Sequence, residues 1–174
     1  MAITDGYCTL AEVKAALRIT DSMDNTLLEN AVEAASRRID GECSRRFFQD
    51  ASATARTYAA NRPEFLFTDD ISTLTGMVVK VDDTFTGSYT TTLVVNVDYQ
   101  NEPTNALVQG EPITLIRSMD LGFPVAANGR ALIEVTARWG FPSVPDVIRE
   151  ATILLAARQF KRLDSPLGVA GFGD

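Results

Sequence analysis

Two adjacent acid pairs, Asp69-Asp70 and Asp82-Asp83, with Asp98 further along, are the first residues to test for chemistry. Paired carboxylates can hold a divalent cation or divide acid and base roles between them. Their spacing fails both tasks. No stretch has the Asp-x-Asp-x-Asp-Gly order of a calcium loop, neighbours along a strand point to opposite faces, and turns favour aspartate anyway. These acids are therefore expected in solvated turns. Nucleophilic catalysis fares no better. The chain has no histidine, so a serine hydrolase would need a Ser-Lys arrangement, and Lys14, Lys80 and Lys161 stand beside no nucleophile motif. Cys8 and Cys43 lack metal-ligand spacing, and Cys43 falls on an apolar helical stripe, which predicts a buried, inert thiol. The glycine-rich GVAGFGD (168 to 174) follows no strand and opens no helix, as a phosphate-cradling loop must. No catalytic residue, cofactor site or metal site emerges, and no enzymatic activity is expected.

Charge argues in the same direction. A net charge of −7 is wrong for a protein whose task is gripping phosphate, because that binding is driven by Lys and Arg releasing counterions. The basic, aromatic SRRFF (44 to 48) and the helix-break-helix that precedes it have milder explanations. Arg45 and Arg46 complement a helix C-terminus, Phe47 and Phe48 join a core, and a recognition helix seldom exposes Glu29, Glu33 and Asp40. No apolar stretch approaches the roughly 20 residues of a membrane span. The N-terminal MAITDGYCTLAEV has no basic flank before an apolar run, so nothing suggests export and the cytoplasm is the expected site of synthesis and assembly.

The elements that position these residues fall into three stretches. Thr9 and Glu12 form a capping box, and Leu10, Val13 and Leu17 repeat at helical spacing, which predicts a short helix from about 9 to 19. After the polar break TDSMDN, the stripe Leu28, Val32, Ala35, Ile39 and Cys43 predicts a longer helix ending near Phe47-Phe48. From about 53 to 139, β alternation takes over. Met77, Val79 and Val81 share one strand face, Leu93, Val95, Val97 and Tyr99 another, and Ile133, Val135, Ala137 and Trp139 a third. One wet face per strand predicts an antiparallel sheet, with a hairpin connection at 82 to 88 and a longer loop at 101 to 112. The expected fold is α+β: a small bundle of two N-terminal helices and one C-terminal helix with an inserted antiparallel β region. The parts are residues 1–52 (helical), 53–140 (β), 141–163 (the helix completing the helical core) and 164–174 (a flexible tail).

That last helix is the most informative element. Pro145 and Asp146 mark its start, and Asp164-Ser165-Pro166 with Gly168 marks its stop. Between them Ile153-Leu154-Leu155-Ala156-Ala157 advances about 100° per residue, so apolar side chains cover the whole circumference. A chain of 174 residues has no many-layered interior to enclose such a helix, and a second subunit is the natural cover. Burying an unpaired charge there by Leu154→Asp is expected to abolish association with that second subunit, or folding.

Taken in order, TLAEVKAALRITDSMDNTLLENAVEAASRRIDGECSRRF (9 to 47), a middle segment with Asp98, Tyr99 and Pro103, and VTARWGFPSVPDVIREATILLAARQFKRLDSPLGVAGFG (135 to 173) resemble the head-tail connector, or adaptor, proteins of tailed bacteriophages and prophages. The likeness spans nearly the whole chain, and its strength lies in the order of the signs. The resemblance implies a structural virion protein at the head-tail interface: a homo-oligomeric ring, typically of about twelve copies, docked under the portal protein and offering a stopper or tail-completion protein a place to attach. DNA would pass through the channel without sequence-specific binding, and no membrane is involved. Ile153, Leu154, Ala157 and Phe160 are then the expected subunit or portal interface, joined by Leu167, Val169 and Phe172 of the tail. A neck or tail-completion protein with a similar ring role is the nearest alternative. A β-rich ligand-binding module is the alternative of another class, but of its candidate aromatics Tyr89, Tyr99 and Trp139, the last two sit on apolar faces.

Overall fold

The computed structural model describes residues 3–164. The chain divides into two compact units, residues 1–48 with 144–174 and residues 49–143. The expected tail, with Leu167, Val169, Phe172 and the Pro166-Gly168 stop, lies outside the described residues.

The first unit is helical, with α1 (Leu10–Leu17), α2 (Asn25–Cys43) and α3 (Asp146–Asp164). The Thr9–Glu12 capping box opens α1: the Glu12 N–H donates to Thr9 Oγ1 at 3.2 Å and the Thr9 N–H to Glu12 Oε2 at 2.7 Å. Arg18 closes it in the left-handed conformation. Val13 of α1, Leu28, Ala31, Val32 and Ala35 of α2, and Ala156 of α3 form one core, with Cys8 beside them. The second helix stops sooner than its pattern suggests. Ser44 takes a left-handed cap at φ 51°, and Phe47 turns back into the interior, its N–H donating to the Tyr7 hydroxyl at 2.8 Å. The Tyr7 hydroxyl in turn donates to Asp40, and the Tyr7 N–H donates to Ser36 Oγ at 3.1 Å. Cys43 is exposed, contrary to its place on the stripe, because cover over α2 ends at Ile39 and residues 41 to 46 all face solvent.

The second unit is a six-stranded antiparallel sheet of β1 (Thr54–Tyr58), β2 (Phe65–Val81), β3 (Thr91–Leu93), β4 (Tyr99–Glu102), β5 (Ile113–Ser118) and β6 (Ile133–Trp139). The order is β1-β6-β2-β5-β4, with β3 also on β2. The long β2 serves three partners, β3, β5 and β6, and its register shifts between Phe67 and Ile71 against β5 and on either side of Thr73 against β6. Its first residues pair with β5 (Leu66 opposite Ile116) and its last with β6 (Val79 opposite Val135). The inward residues Leu66, Ile71, Val79, Ile116, Ile133, Val135, Ala137 and Trp139 make the core, and Tyr99 is buried among them.

Three expectations in this unit change. Asp69 and Asp70, expected in a solvated turn, lie within the strand β2. The alternation from Leu93 to Tyr99 is not one strand: β3 ends at Leu93, and residues 94–98 fold into a turn. Asp98 accepts the Val94 N–H at 2.6 Å, Asn96 adopts φ 62°, and Val95 and Val97 point outward. Asn and Asp tolerate and cap such turns, and they override the apolar period around them. Asp82 is buried instead of solvated. Its carboxylate accepts the N–H groups of Thr86 (3.1 Å) and Gly87 (2.6 Å) and the Thr84 hydroxyl (3.1 Å), so it shapes the hairpin connection from within. Gly87 reaches it at φ 94°, a conformation that side-chain-bearing residues seldom adopt.

Candidate assembly surface

α3 is built from the same apolar letters on all sides, and its environment sorts them. Thr152 and Ala156 are fully buried, and the Thr152 hydroxyl is satisfied within the helix by the carbonyl of Ile148 at 2.8 Å. Ile153, Leu155 and Phe160 are half-buried against the helical core. Leu154 is 61% exposed and Val147 is 76% exposed. Seven residues apart, these two share one face, with half-buried Ala151 between them. The face is apolar at its middle and basic at its C-terminal end, where Arg158, Lys161 and Arg162 are exposed. At its N-terminal end Arg149 pairs with Asp146 at 2.7 Å.

Of the described residues expected at an interface, Leu154 is the one presented outright, while Ile153 and Phe160 pack against the unit's own core and Ala157 is half-buried. Val147 escaped the sequence reading because it stands outside the run 153–157. Its signal was the i, i+7 spacing to Leu154.

Other apolar side chains reach solvent from single turns or strands. Met23 is 90% exposed in the turn before α2, with Leu27 at 46% one helical turn later. In the sheet unit Phe67, Val97, Val108 and Leu121 are also exposed.

Several groups of the acid-base or nucleophilic kind are tied into structure. Burial and the nearby Glu12 carboxylate push the Cys8 thiol up to about 11, which removes the thiolate that a nucleophile needs. The Thr9 backbone and hydroxyl bonds hold Glu12 below its ordinary range, helped by Arg149. Burial and the Asp40 bond raise the Tyr7 phenol. A groove of about 510 Å³ along the helical unit is lined by Asp5, Tyr7, Cys8, Glu12, Val144 and Arg149 among others. In the sheet unit, Asp69 accepts from Arg56 (2.7 Å) and the Tyr58 hydroxyl (2.8 Å). Burial opposes ionisation of Asp69, yet these bonds lower its pKa. Arg56 also lies over the Trp139 ring at 4.3 Å, and Trp139 Nε1 donates to the Thr54 carbonyl at 3.0 Å. Among the described residues no cluster of His, Cys, Asp or Glu has the arrangement of a metal site, and no helix is long and apolar enough to cross a membrane.

Residues 7–97 match the profile of the family described as phage gp6-like head-tail connector protein. No curated protein matches the chain. Among solved structures, a chain in the neck of an empty gene transfer agent particle computed with C6 symmetry is 18% identical with a TM-score of 0.60, covering 100% of this chain and 85% of that one. A chain in the virion of the native gene transfer agent particle is 20% identical at a TM-score of 0.57 (100% and 86% covered). A third, in the native neck computed with C12 symmetry, is 19% identical at 0.52 (100% and 85% covered). At these identities the likeness is one of fold.

Proposed function

Because the chain belongs to the phage gp6-like head-tail connector family and is thus a structural connector, we propose that it acts in the virion as one subunit of a closed ring. The ring docks under the portal protein, completes the DNA-filled head and offers a stopper or tail-completion protein its attachment surface. One observation carries this reading: α3 leaves Val147 and Leu154 uncovered on a face that its own unit does not use. Neighbouring large apolar side chains kept in water on one helix face favour a surface that another protein covers. The C6 and C12 symmetries of the neck assemblies that share the fold support a ring closed by rotation. The net charge of −7 suits a channel through which DNA slides without being held.

In this reading Leu154, with Ile153, Ala157 and Phe160 behind it, contributes to the subunit contact, and Leu167, Val169 and Phe172 add a portal contact. The test is the mass of the full chain in solution, alone and mixed with portal protein. A ring or a portal-dependent complex is expected, and truncation after Leu163 should weaken portal binding. A chain that stays monomeric in both conditions would overturn the ring, and a truncated chain that binds portal as tightly as the full one would overturn the tail's role.

A further inference from the structure

We propose that the turn carrying Met23, together with Leu27 of α2, seats on the Val147-Ala151-Leu154 face of α3 in the next copy of this chain. The inference rests on the ring reading and adds to it the two surfaces that meet and their polarity.

The first observation is the way Met23 is displayed. Its turn is braced: Lys14 Nζ donates to the Asp21 carbonyl oxygen and, at 2.9 Å, to Asn25 Oδ1, while the Met23 N–H donates to Asp21 Oδ1 at 3.0 Å. A turn fixed by three hydrogen bonds nonetheless holds its largest apolar side chain in water. That is the form of a knob, and an unbranched thioether adapts well to a receiving surface.

The second observation is the shape of the receiving face. Val147 and Leu154 stand two turns apart with Ala151 between them. The small methyl leaves a shallow hole flanked by larger side chains, the arrangement in which a knob from a neighbouring element packs.

The third observation is charge. Asp21 lies beside Met23, and Asp24 stands at the N-cap of α2 with no side-chain cap bond. Arg158 and Lys161 follow Leu154 four and seven residues on, with Arg162 next, and none of the three has an ion-pair partner among the described residues. A head-to-tail contact sets acid against base and repeats around a ring. Both surfaces belong to the same compact unit, so the contact can recur in every copy whatever the sheet unit does.

The test pairs cysteines between separate chains. In a Cys43→Ser background, which removes the exposed thiol, full chains carrying Met23→Cys are mixed with full chains carrying Ala151→Cys, alone and with portal protein. They are then oxidised, while solution mass is followed in parallel. The expected product is a disulfide joining the two kinds of chain in clear excess over either homodimer. Asp24→Arg alone should weaken association about tenfold, and Asp24→Arg combined with Arg158→Asp should recover most of it. Rings that form without the mixed disulfide, or with only Ala151→Cys homodimers, overturn the inference and leave the ring standing. Chains that remain monomeric throughout overturn both.

Discussion

The strand β6 and the helix α3 are equally greasy in sequence, but they end in opposite states. Along β6, burial alternates without exception: Ile133, Val135, Ala137 and Trp139 are inside, and Glu134, Thr136 and Arg138 are only partly covered. Along α3 the apolar residues are distributed over buried, half-buried and exposed positions, and Leu154 ends in solvent. A strand has two faces, so alternation assigns each residue to one of them. A helix has a full circumference, and an all-round apolar run assigns residues to more cover than one small unit supplies. The strand assigns every apolar side chain to the core, whereas the helix leaves one apolar face uncovered.

The strongest way to break that contrast is to damage the completed core. Trp139 fills the sheet interior, donates to the Thr54 carbonyl and lies under Arg56. Trp139→Ala should therefore cost about 3 to 5 kcal/mol of stability. Chemical denaturation followed by circular dichroism measures it. A loss below about 1 kcal/mol would show that the sheet unit is no better closed than the helical one.

Acidification probes the same unit through its buried carboxylate. Burial by itself would raise the pKa of Asp82, but the N–H groups of Gly87 and Thr86, the Thr84 hydroxyl and the Arg130 guanidinium hold it below the ordinary carboxylate range. The folded state therefore releases this proton at lower pH than the unfolded chain does. The resulting stability is complete above the unfolded value near 3.8 and is lost as pH falls through the lower folded value. Asp69 acts with the same sign. The unfolding midpoint should be level near neutrality and fall below about pH 4, and Asp82→Asn should flatten that fall. An unchanged acid limb in the variant would mean that other carboxylates govern it.

How much of this was legible in the sequence follows from the kinds of signal involved. The helices, the β insertion and the strand Ile133–Trp139 were readable because their periods are long and unbroken. The segment from Leu93 to Tyr99 was not, since its valines alternate by coincidence over a turn whose shape Asn96 and Asp98 set. Cys43 continued a helical stripe beyond the residues that cover it, and period carries no information about where cover ends. Asp82 looked like any turn aspartate, because burial of a carboxylate depends on donors two to five residues away converging on it. On α3, composition revealed that cover was short, but it did not say which residue would be left out. Val147 and Leu154 were separated from Thr152 and Ala156 only by the placement of α1 and α2.

The finest test separates folding from assembly at Leu154. A charge placed at a fully buried site disrupts the fold, but this side chain is 61% exposed, so Leu154→Asp should change stability by no more than about 0.5 kcal/mol. Cys8 supplies the internal gauge. It is buried in the helical core with its thiol pushed up to about 11, so a thiol reagent should label Cys43 quickly and Cys8 only when that core opens. The Leu154→Asp chain should protect Cys8 as the parent does and yet fail to form a ring, alone or with portal protein. Rapid Cys8 labelling in the variant would mean that Leu154 supports the helical core itself. Unimpaired ring formation would mean that the exposed face of α3 is not where subunits meet.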